Sequence, residues 1–495
     1  MPSFFVHNFG CRATQADGAA IEHQFEEQGL TRADSISKAS IVVLNTCTVT
    51  AAADQDARSA IRRTHRENPA AQIVVTGCYA QRSPEELATL PGVAQVIGNS
   101  HKHQLAEIAV RDSLLRPAPA PPHSSAFVPL RTLAAPASSS RRPSTNDQRP
   151  IFVSDIFAHT ELLAAPVFDA PNKRTRPNLK VQDGCDNRCS FCVIPYVRGQ
   201  SRSLKLDQVL REVNSLVAAG YRELVISGIN LGRWGRDLDP AQFSPAATEG
   251  FADFVEISRR PTTGDWRLTS LIHAILDCTS LEKLRISSVE PMDWTDELIS
   301  LVASSARIAK HAHVPMQSGS DAVLRRMHRK YRPWHYREKI ARISAAMPAA
   351  ALGADVMVGF PGETDSEFEE TRRMIEELPF TYLHVFTYSA RPGTPAAELP
   401  RHVPVQVARE RNRILRELGE QKKLAFQRSF IGHTVQAITL SCGAEAPDCK
   451  PGGAPFTEAL TDNYLKLRVV GNHPPNQWVR AQVESVVDGA LIAQS

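Results

Sequence analysis

The sequence lacks the features that would place it in a membrane or in an oxidising compartment. It contains no uninterrupted apolar run of membrane-spanning length. Its first ten residues, MPSFFVHNFG, have neither the basic start nor the apolar core of a secretion signal. The nine cysteines, an odd number spread over 495 residues, do not show the dense pattern of a disulfide framework. We therefore expect a cytoplasmic protein with no membrane partner.

The chain also has no large excess of positive or negative charge. The formal net charge is only +4, so any contact with nucleic acid must depend on local basic patches. Hydrophobic residues make up 42% of the chain and charged residues 22%, which is typical of chains that fold around ordinary cores. The length predicts about three domains.

Three cysteines form the spacing CxxxCxxC: Cys185, Cys189 and Cys192. Three thiolates can hold a four-iron four-sulfur cluster and leave one iron without a protein ligand, so that a small molecule can bind there. Structural zinc is the alternative, but zinc needs a fourth ligand, and no second cysteine pair or histidine pair follows Cys192 at a suitable distance in the sequence. The triplet therefore favours an iron–sulfur site that a cofactor completes.

Three more cysteines each follow a short apolar segment within the first hundred residues. Cys11 ends FFVHNFGC, Cys47 ends IVVLNTC and Cys78 ends IVVTGC, and a helix-like stretch follows each segment. Such alternation predicts a parallel sheet, in which the carboxyl ends of the strands meet at one edge. We expect the three thiols along this edge as a second metal site, although free cysteine is also common in ordinary cores.

Composition and periodicity divide the chain into four parts. Residues 1–112 form the predicted parallel α/β domain, and residues 113–150, rich in proline, alanine and serine, are predicted to be a linker or insertion. Residues 151–420 contain six strand and helix patterns that predict a barrel-like parallel sheet, with an irregular insertion near 239–265. Residues 421–495 predict a small antiparallel β-barrel. The predicted fold class is α/β with this β-barrel at the C-terminal end.

A segment that begins at Leu179, LKVQDGCDNRCSFCVIPYVRGQSRS, resembles the cluster loop of radical S-adenosylmethionine enzymes, and among them the methylthiotransferases. NFGC, NTCTVT and TGCYAQ in the first domain resemble the same family, so the likeness extends over nearly the whole chain. It implies a partial (βα)6 barrel in the central domain and an RNA-binding domain of the TRAM type at the C-terminal end. It also implies two four-iron four-sulfur clusters. The ligands that it implies are Cys185, Cys189 and Cys192 for one cluster and Cys11, Cys47 and Cys78 for the other.

The same resemblance implies a reaction. In this family the open iron of the first cluster binds S-adenosylmethionine, and reductive cleavage of the sulfonium yields a 5′-deoxyadenosyl radical. The second cluster carries a sulfur atom, which is methylated and then replaces a hydrogen of the substrate. The resemblance therefore implies an enzyme that uses two clusters, S-adenosylmethionine and an electron donor of the flavodoxin or ferredoxin type.

One stretch of the first domain indicates the substrate. The run NTCTVTAAADQDARSAIRR, from Asn45 to Arg63, most resembles the subgroup that acts on N6-threonylcarbamoyladenosine beside the tRNA anticodon. It implies methylthiolation of adenine C2 with the tRNA anticodon loop as partner. Isopentenyladenosine in tRNA and an aspartate of a ribosomal protein stay open as alternatives. Thr14 stands where many relatives have asparagine, and we expect Asp17 to take the place of a glutamate.

Glycine and polar residues that follow barrel strands are candidate cofactor contacts, because the active sites of parallel barrels lie at the carboxyl ends of the strands. On this ground Gly228, Glu290 and Gln317 are predicted to contact S-adenosylmethionine.

A further segment, RRMHRKYRPWHYREK, interleaves cationic and aromatic side chains, as phosphate contact and base stacking require. A solvated helix face is the alternative. The predicted RNA contacts are Arg325, Arg326, Arg329 and Lys330.

Two other classes of protein stay open. An iron–sulfur sensor that binds RNA without catalysis would need clusters but no polar barrel rim. A radical enzyme of another class, such as a methylase, would keep the thiols at 185, 189 and 192 but would not need the thiols of the first domain. Cys278 is predicted to be a core residue, and Cys442 and Cys449 are predicted to have no metal role.

Overall fold

The computed structural model describes residues 2–10, 12–115, 149–159, 162, 175–238, 267–441 and 456–494. The chain divides into two compact units. The first comprises Met1–Thr14, Ile21–Thr48 and Ala52–His159, and the second comprises Gln15–Ala20, Val49–Ala51 and Thr160–Ser495. Among the described residues, no helix combines the length and the apolar character needed to cross a bilayer.

A parallel sheet forms the first unit, as predicted, and it has six strands. Its strands are β1 (Ser3–Asn8), β2 (Thr31–Arg32), β3 (Ile41–Thr46), β4 (Gln72–Gly77), β5 (Val93–Gly98) and β6 (Ile151–Phe152), in the spatial order β2-β1-β3-β4-β5-β6. The helices are α1 (Arg12–Glu27), α2 (Ala51–Glu67), α3 (Cys78–Arg82), α4 (Pro84–Ala88) and α5 (Leu105–Leu115). Successive residues of β3 enter opposite apolar clusters, Val42 and Leu44 on one face and Val43 on the other, so this strand is buried on both sides.

The sequence predicted only the three strands that precede cysteines, which are β1, β3 and β4. β5 adds the apolar segment VAQVIG, and β6 pairs with it through Ile151 and Phe152. The insertion predicted at 113–150 falls largely outside the described residues, and the one predicted near 239–265 falls wholly outside them.

Six parallel strands form the partial barrel of the second unit, and all six were predicted. The strands of this region are β7 (Asn178–Asp183), the short β8 (Arg202–Ser203), β9 (Glu223–Gly228), β10 (Lys283–Ile286), β11 (His311–His313), β12 (Ala351–Val358) and β13 (Tyr382–Thr387). β7, β9 and β10 pair in parallel, as do β11, β12 and β13, and a parallel bridge from Leu284 to Ile308 links the two groups. β8 is antiparallel to β7.

Eight helices are described in the second unit, most of them packed outside the barrel strands. They are α6 (Ile194–Arg198), α7 (Leu206–Ala218), α8 (Leu268–Cys278), α9 (Asp296–Ser304), α10 (Asp321–Arg326), α11 (Pro333–Ala346), α12 (Asp365–Glu377) and α13 (Val405–Arg428). Alternate strand residues, such as Leu352, Ala354 and Val356 of β12, belong to the large core under these helices. The residues between them face the opposite side, which we call the lumen of the barrel.

The C-terminal part folds into a closed five-stranded barrel. Its strands are β14 (Thr434–Thr439), β15 (Phe456–Thr461), β16 (Lys466–Val470), β17 (Trp478–Val487) and β18 (Ala490–Gln494), and they close in the order β14-β15-β16-β18-β17. The predicted antiparallel pairing holds for four of the five pairs, but β16 and β18 are parallel. Strictly alternating directions cannot close a ring of five strands, so one parallel pair is required.

The loop between β15 and β16 covers the amino-terminal ends of the central barrel strands. The guanidinium of Arg285 on β10 donates to the carbonyl oxygens of Asp462 (2.8 Å) and Thr461 (3.1 Å), and it lies 4.7 Å from the ring centre of Tyr464. The side chain of Asn463 donates to the carbonyl oxygen of Ala349, just before β12, at 3.0 Å. The carboxyl-terminal ends of the strands therefore remain for the site.

Candidate metal centres

Three partly exposed cysteines lie in the loop that joins β7 to α6: Cys185, Cys189 and Cys192. Gly184 opens this loop with φ of +73°, and a Cβ atom on it would lie only 1.8 Å from the carbonyl oxygen of Gln200. Only glycine combines this left-handed backbone with so close an approach. The amide of Cys185 then donates to the carbonyl oxygen of Gly199 at 3.1 Å and closes the loop.

The middle of the loop is fixed through Ser190. Its amide donates to the carbonyl oxygen of Met327 (3.1 Å), and its hydroxyl donates to that of Arg326 (2.7 Å). Its own carbonyl oxygen accepts from the amide of Ala396 at 2.8 Å. The loop conformation is therefore held by the surrounding chain, which preorganises the three thiols.

Hydrogen-bond donors are directed at two of the sulfur atoms. Cys185 Sγ accepts from the amide of Asn187 (3.4 Å) and from Nδ2 of Asn230 (3.6 Å). Cys189 Sγ accepts from Nη1 of Arg329 at 3.2 Å. Donors and cations of this kind stabilise negative charge on sulfur and tune the potential of iron–sulfur clusters, so the surroundings fit thiolate ligands.

Burial gives these thiols a further property. It raises the pKa of Cys185, and it raises the pKa of Cys192 to about 12. As free thiols, both groups would stay protonated and unreactive near neutral pH. A metal that binds there must displace these protons, and a coordinating thiol gives up its proton outright.

A cavity lies beside Cys189 and is lined in part by Arg233, Glu290 and Arg329. The guanidinium of Arg329 is buried, forms an ion pair with Glu290, and lies 5.0 Å from the ring centre of Tyr331. Glu290 thus has a position next to the cluster loop. Its contact with S-adenosylmethionine stays a prediction.

The other two predicted cofactor contacts lie at strand ends. A Cβ atom on Gly228 would be 2.8 Å from Oε1 of Gln182, the atom that accepts from the amide of Asn230 at 2.7 Å. The absence of a side chain at Gly228 therefore leaves room for the hydrogen bond between Asn230 and Gln182, and the side chain of Asn230 in turn donates to Cys185. Gln317 follows β11 with a positive φ of 62°, and its amide donates to the carbonyl oxygen of Asp355 at 2.8 Å. Strained non-glycine residues of this kind are concentrated at functional sites.

The segment predicted to contact RNA is not one helix. α10 ends at Arg326, His328 has a φ of +57°, and Pro333 begins α11. This reversal turns Arg329 inward, which favours a role beside the cluster loop over contact with RNA.

The other three predicted RNA contacts differ in what they touch. Arg325 is exposed and pairs with Asp321 at 2.8 Å, and Arg326 pairs with Glu367 at 2.8 Å. Lys330 is exposed at the cavity. RNA contact stays a prediction for all of them.

The first unit brings two of the remaining thiols to one edge of its sheet. Cys47 and Cys78 directly follow β3 and β4, and the register pairs the last residues of these strands, Thr46 with Gly77. Both cysteines are buried, and Asn99 Nδ2 donates to Cys78 Sγ at 3.6 Å.

Cys11 itself lies outside the described residues. A Cβ atom on Gly10, the last described residue before it, would lie 3.0 Å from Cys47 Sγ. This proximity agrees with the predicted set of three thiols, which stays a proposal.

A buried network of four charges lies next to the cluster loop and was not predicted. Lys180 of β7 pairs with Asp17 and with Asp183 (2.9 Å), and Arg198 of α6 pairs with the same two carboxylates at 3.0 and 2.9 Å. Asp17 belongs to the second compact unit through Gln15–Ala20. Burial raises the pKa of Asp183, but Arg198 and Lys180 outweigh this effect and hold the pKa well below its ordinary value. No local pattern signals the complete network, because Asp17 lies far from its two partners in the sequence.

Comparison with known proteins identifies the family of this chain. Residues 3–98 match the uncharacterized protein family UPF0004, and residues 179–375 match the radical SAM superfamily. The chain is 33% identical to the threonylcarbamoyladenosine tRNA methylthiotransferase MtaB of Bacillus subtilis, over 94% of this chain and 90% of that protein. It is 34% identical to the MtaB of Rickettsia prowazekii, over 88% and 86%. It is 32% identical to a tRNA-2-methylthio-N(6)-dimethylallyladenosine synthase of Novosphingobium aromaticivorans, also over 88% and 86%.

A partial parallel barrel that carries a three-cysteine loop beyond its first strand defines the class of radical S-adenosylmethionine enzymes. Within that class, this chain belongs to the methylthiotransferase family. Its cofactors are S-adenosylmethionine and four-iron four-sulfur clusters. The family and the cofactors predicted from the sequence are confirmed.

Proposed function

We propose that this enzyme converts N6-threonylcarbamoyladenosine beside the tRNA anticodon to its 2-methylthio derivative. The observation that carries the proposal is the pair of thiols at in-register strand ends of the first unit, Cys47 and Cys78, because a radical methylase would not need these thiols. Four relatives named for this substrate, at 29–34% identity over 88–98% of the chain, support the choice of nucleoside.

The three cysteines of the cluster loop and three residues beside the loop have distinct roles in this proposal. Cys185, Cys189 and Cys192 would hold the cluster that binds S-adenosylmethionine, and the chemistry supplied there is reductive cleavage to a radical that removes the C2 hydrogen of the adenine. Asn230 and Arg329 hold the sulfur ligands in place and balance their negative charge. Glu290 fixes the orientation of Arg329.

The RNA would approach over the cavity beside Cys189. Arg188 and Lys330 are exposed there, and both would contact phosphate. We also propose that the C-terminal barrel binds RNA in the manner of a TRAM domain. The reductant would be a flavodoxin or a ferredoxin, and the cytoplasm, where tRNA is found, would be the location.

Nucleoside mass spectrometry tests the proposal in cells that lack this activity. Expression of the full chain should convert tRNA N6-threonylcarbamoyladenosine to the methylthio form. Cys185→Ala should abolish both 5′-deoxyadenosine formation and product. Cys47→Ala should abolish product but keep 5′-deoxyadenosine formation, and the iron content should fall from about eight to about four atoms per chain. Cys278→Ala, a change of a cysteine in helix α8, is the matched control and should leave all three readouts unchanged.

Three outcomes would contradict the proposal. Product from Cys47→Ala would remove the role of the second thiol set. A methylthio group on isopentenyladenosine (dimethylallyladenosine), the nucleoside in the name of the Novosphingobium relative, would assign the enzyme to the subgroup that modifies that nucleoside. Unchanged tRNA together with a modified ribosomal-protein aspartate would exclude RNA as the substrate.

A further inference from the structure

Three side chains with metal-binding chemistry converge on the luminal side of neighbouring barrel strands: His313 of β11, Asp355 of β12 and His384 of β13. The register pairs Asp355 directly with His384, and it pairs His313 with a residue two positions before Asp355. The flanking residues on these strands enter the core under the helices, so the three side chains face the lumen together. They are separate from the cysteine loop, since none of them lines the cavity beside Cys189.

Two of the distances between the three donor groups, those from the carboxylate to each imidazole, match a bound ion. Oδ1 of Asp355 lies 3.3 Å from Nε2 of His313 and 3.3 Å from Nδ1 of His384, and the three ligand atoms all lie within 4.8 Å of one another. Two donors about 2.0–2.1 Å from a tetrahedral ion, at an angle of about 109°, are separated by about 3.3–3.4 Å. A direct hydrogen bond between a charged imidazole and a carboxylate is usually shorter, about 2.7–2.9 Å.

The ring of His313 is oriented as a ligand would be. Its Nδ1 is hydrogen-bonded to the hydroxyl of Ser288, and its buried Nε2 faces Oδ1 of Asp355 at 3.3 Å. Metal-bound histidines commonly donate their second ring nitrogen to a fixed oxygen, which sets the tautomer and aims the free nitrogen at the ion. The ring of Tyr382 stacks on His313 at a centroid distance of 5.9 Å and supports this orientation.

We propose that His313, Asp355 and His384 bind one divalent transition-metal ion, with zinc as the best match in ligand type and spacing. Two imidazoles and one carboxylate form a known ligand set for such ions and leave at least one position open for water or another oxygen ligand. His384 is more than half exposed, so an ion can enter from the open side of the site. This site is independent of the reaction proposed above and would be present in the protein without RNA.

Zinc binding to the holoenzyme tests the proposal. Anaerobically reconstituted enzyme, with its clusters filled, would be titrated with Zn²⁺, and the metal content and the zinc K-edge absorption spectrum would be measured. We expect one zinc per chain with only nitrogen and oxygen neighbours. His384→Asn and Asp355→Asn should each weaken zinc binding by about tenfold or more. His335→Asn is the matched control, since His335 is an exposed histidine on α11, and it should bind zinc like the unaltered chain.

Iron content separates this result from damage to the fold. Each variant should keep the iron of the unaltered chain, because none of the three ligands touches the cysteine loop. If Asp355→Asn does not fold, His384→Asn still tests the proposal, because a change of this more than half-exposed side chain should leave the fold intact. Sulfur neighbours in the zinc spectrum, equal zinc binding by His384→Asn and His335→Asn, or no zinc beyond trace amounts would each overturn the proposal.

Discussion

Single residues decide the shape of the cluster loop. Gly184 has a left-handed backbone, and a side chain on it would overlap the backbone of Gln200. Gly220, which follows α7, also has a positive φ (+91°), but no atom lies within 4 Å of the position that its Cβ would take. A side chain at either position would be strained by the positive φ, but only at Gly184 would it also collide with a neighbouring backbone atom. A comparison of the two substitutions therefore separates these two effects.

Gly184→Ala should release the cluster, while Gly220→Ala should keep it. The backbone penalty of about 1–2 kcal/mol is common to both variants. Gly184→Ala must also move the carbonyl of Gln200, and with it the loop that carries Cys185. Iron content after reconstitution and the thermal unfolding midpoint measure the two effects. Equal iron in both variants would show that the loop tolerates the displacement.

At the scale of secondary structure elements, buried charges join β7 to α6. Lys180 and Arg198 share two carboxylates, and all four side chains are almost inaccessible to solvent. Complete networks of this kind need not add stability, but removal of one partner leaves an uncompensated buried charge. Since Asp183 directly precedes Gly184, such a loss also acts on the start of the cluster loop.

Lys180→Met should destabilise the second unit by about 3–5 kcal/mol, because two buried carboxylates would then lose one of their cationic partners. The midpoint of denaturant unfolding, followed by circular dichroism, reports the change. Arg413→Met is the control: Arg413 pairs with Glu410 and Glu417 on the exposed face of α13, and its removal should hardly move the midpoint. Similar midpoints for the two variants would mean that water enters the network and solvates the carboxylates that lose Lys180.

Sequence patterns predicted the elements that form because of residue preferences within their own segments. The six barrel strands and the strands before Cys11, Cys47 and Cys78 carry short apolar, β-branched runs, and these form as predicted. β15 was not predicted, because its segment FTEALT has a weak pattern and gains its place only by closing the C-terminal barrel. The pairing of Asp17 with Lys180 and the inward turn of Arg329 depend on tertiary contacts, which no local window contains.

At the scale of the whole molecule, a net charge of +4 leaves RNA binding to local groups. Arg188 and Lys330 are the exposed cations beside Cys189 that the structure brings together from distant parts of the sequence. If they contact phosphates, each releases counterions when RNA binds, so their effect should depend on salt concentration.

The double variant Arg188→Gln, Lys330→Gln should bind tRNA more weakly and with a shallower salt dependence. The slope of log K against log salt should fall by about 0.7–0.9 for each phosphate that the variant no longer neutralises. The charge-matched control is Lys205→Gln, Arg211→Gln, which removes two exposed cations at and near the start of α7. Filter-binding titrations at several salt concentrations measure the slope. Identical slopes for both double variants would place the RNA elsewhere.

The β15–β16 loop at the amino-terminal ends of the barrel strands has a kinetic consequence. Because this loop covers that end of the described barrel, we expect small molecules to exchange past the cluster-side rim or past the edge strand β13. A polynucleotide seated on the rim would hinder the departure of spent cofactor. RNA dissociation would then limit turnover at saturating tRNA. Weaker RNA binding would therefore raise the maximal rate but lower the rate at low tRNA concentration.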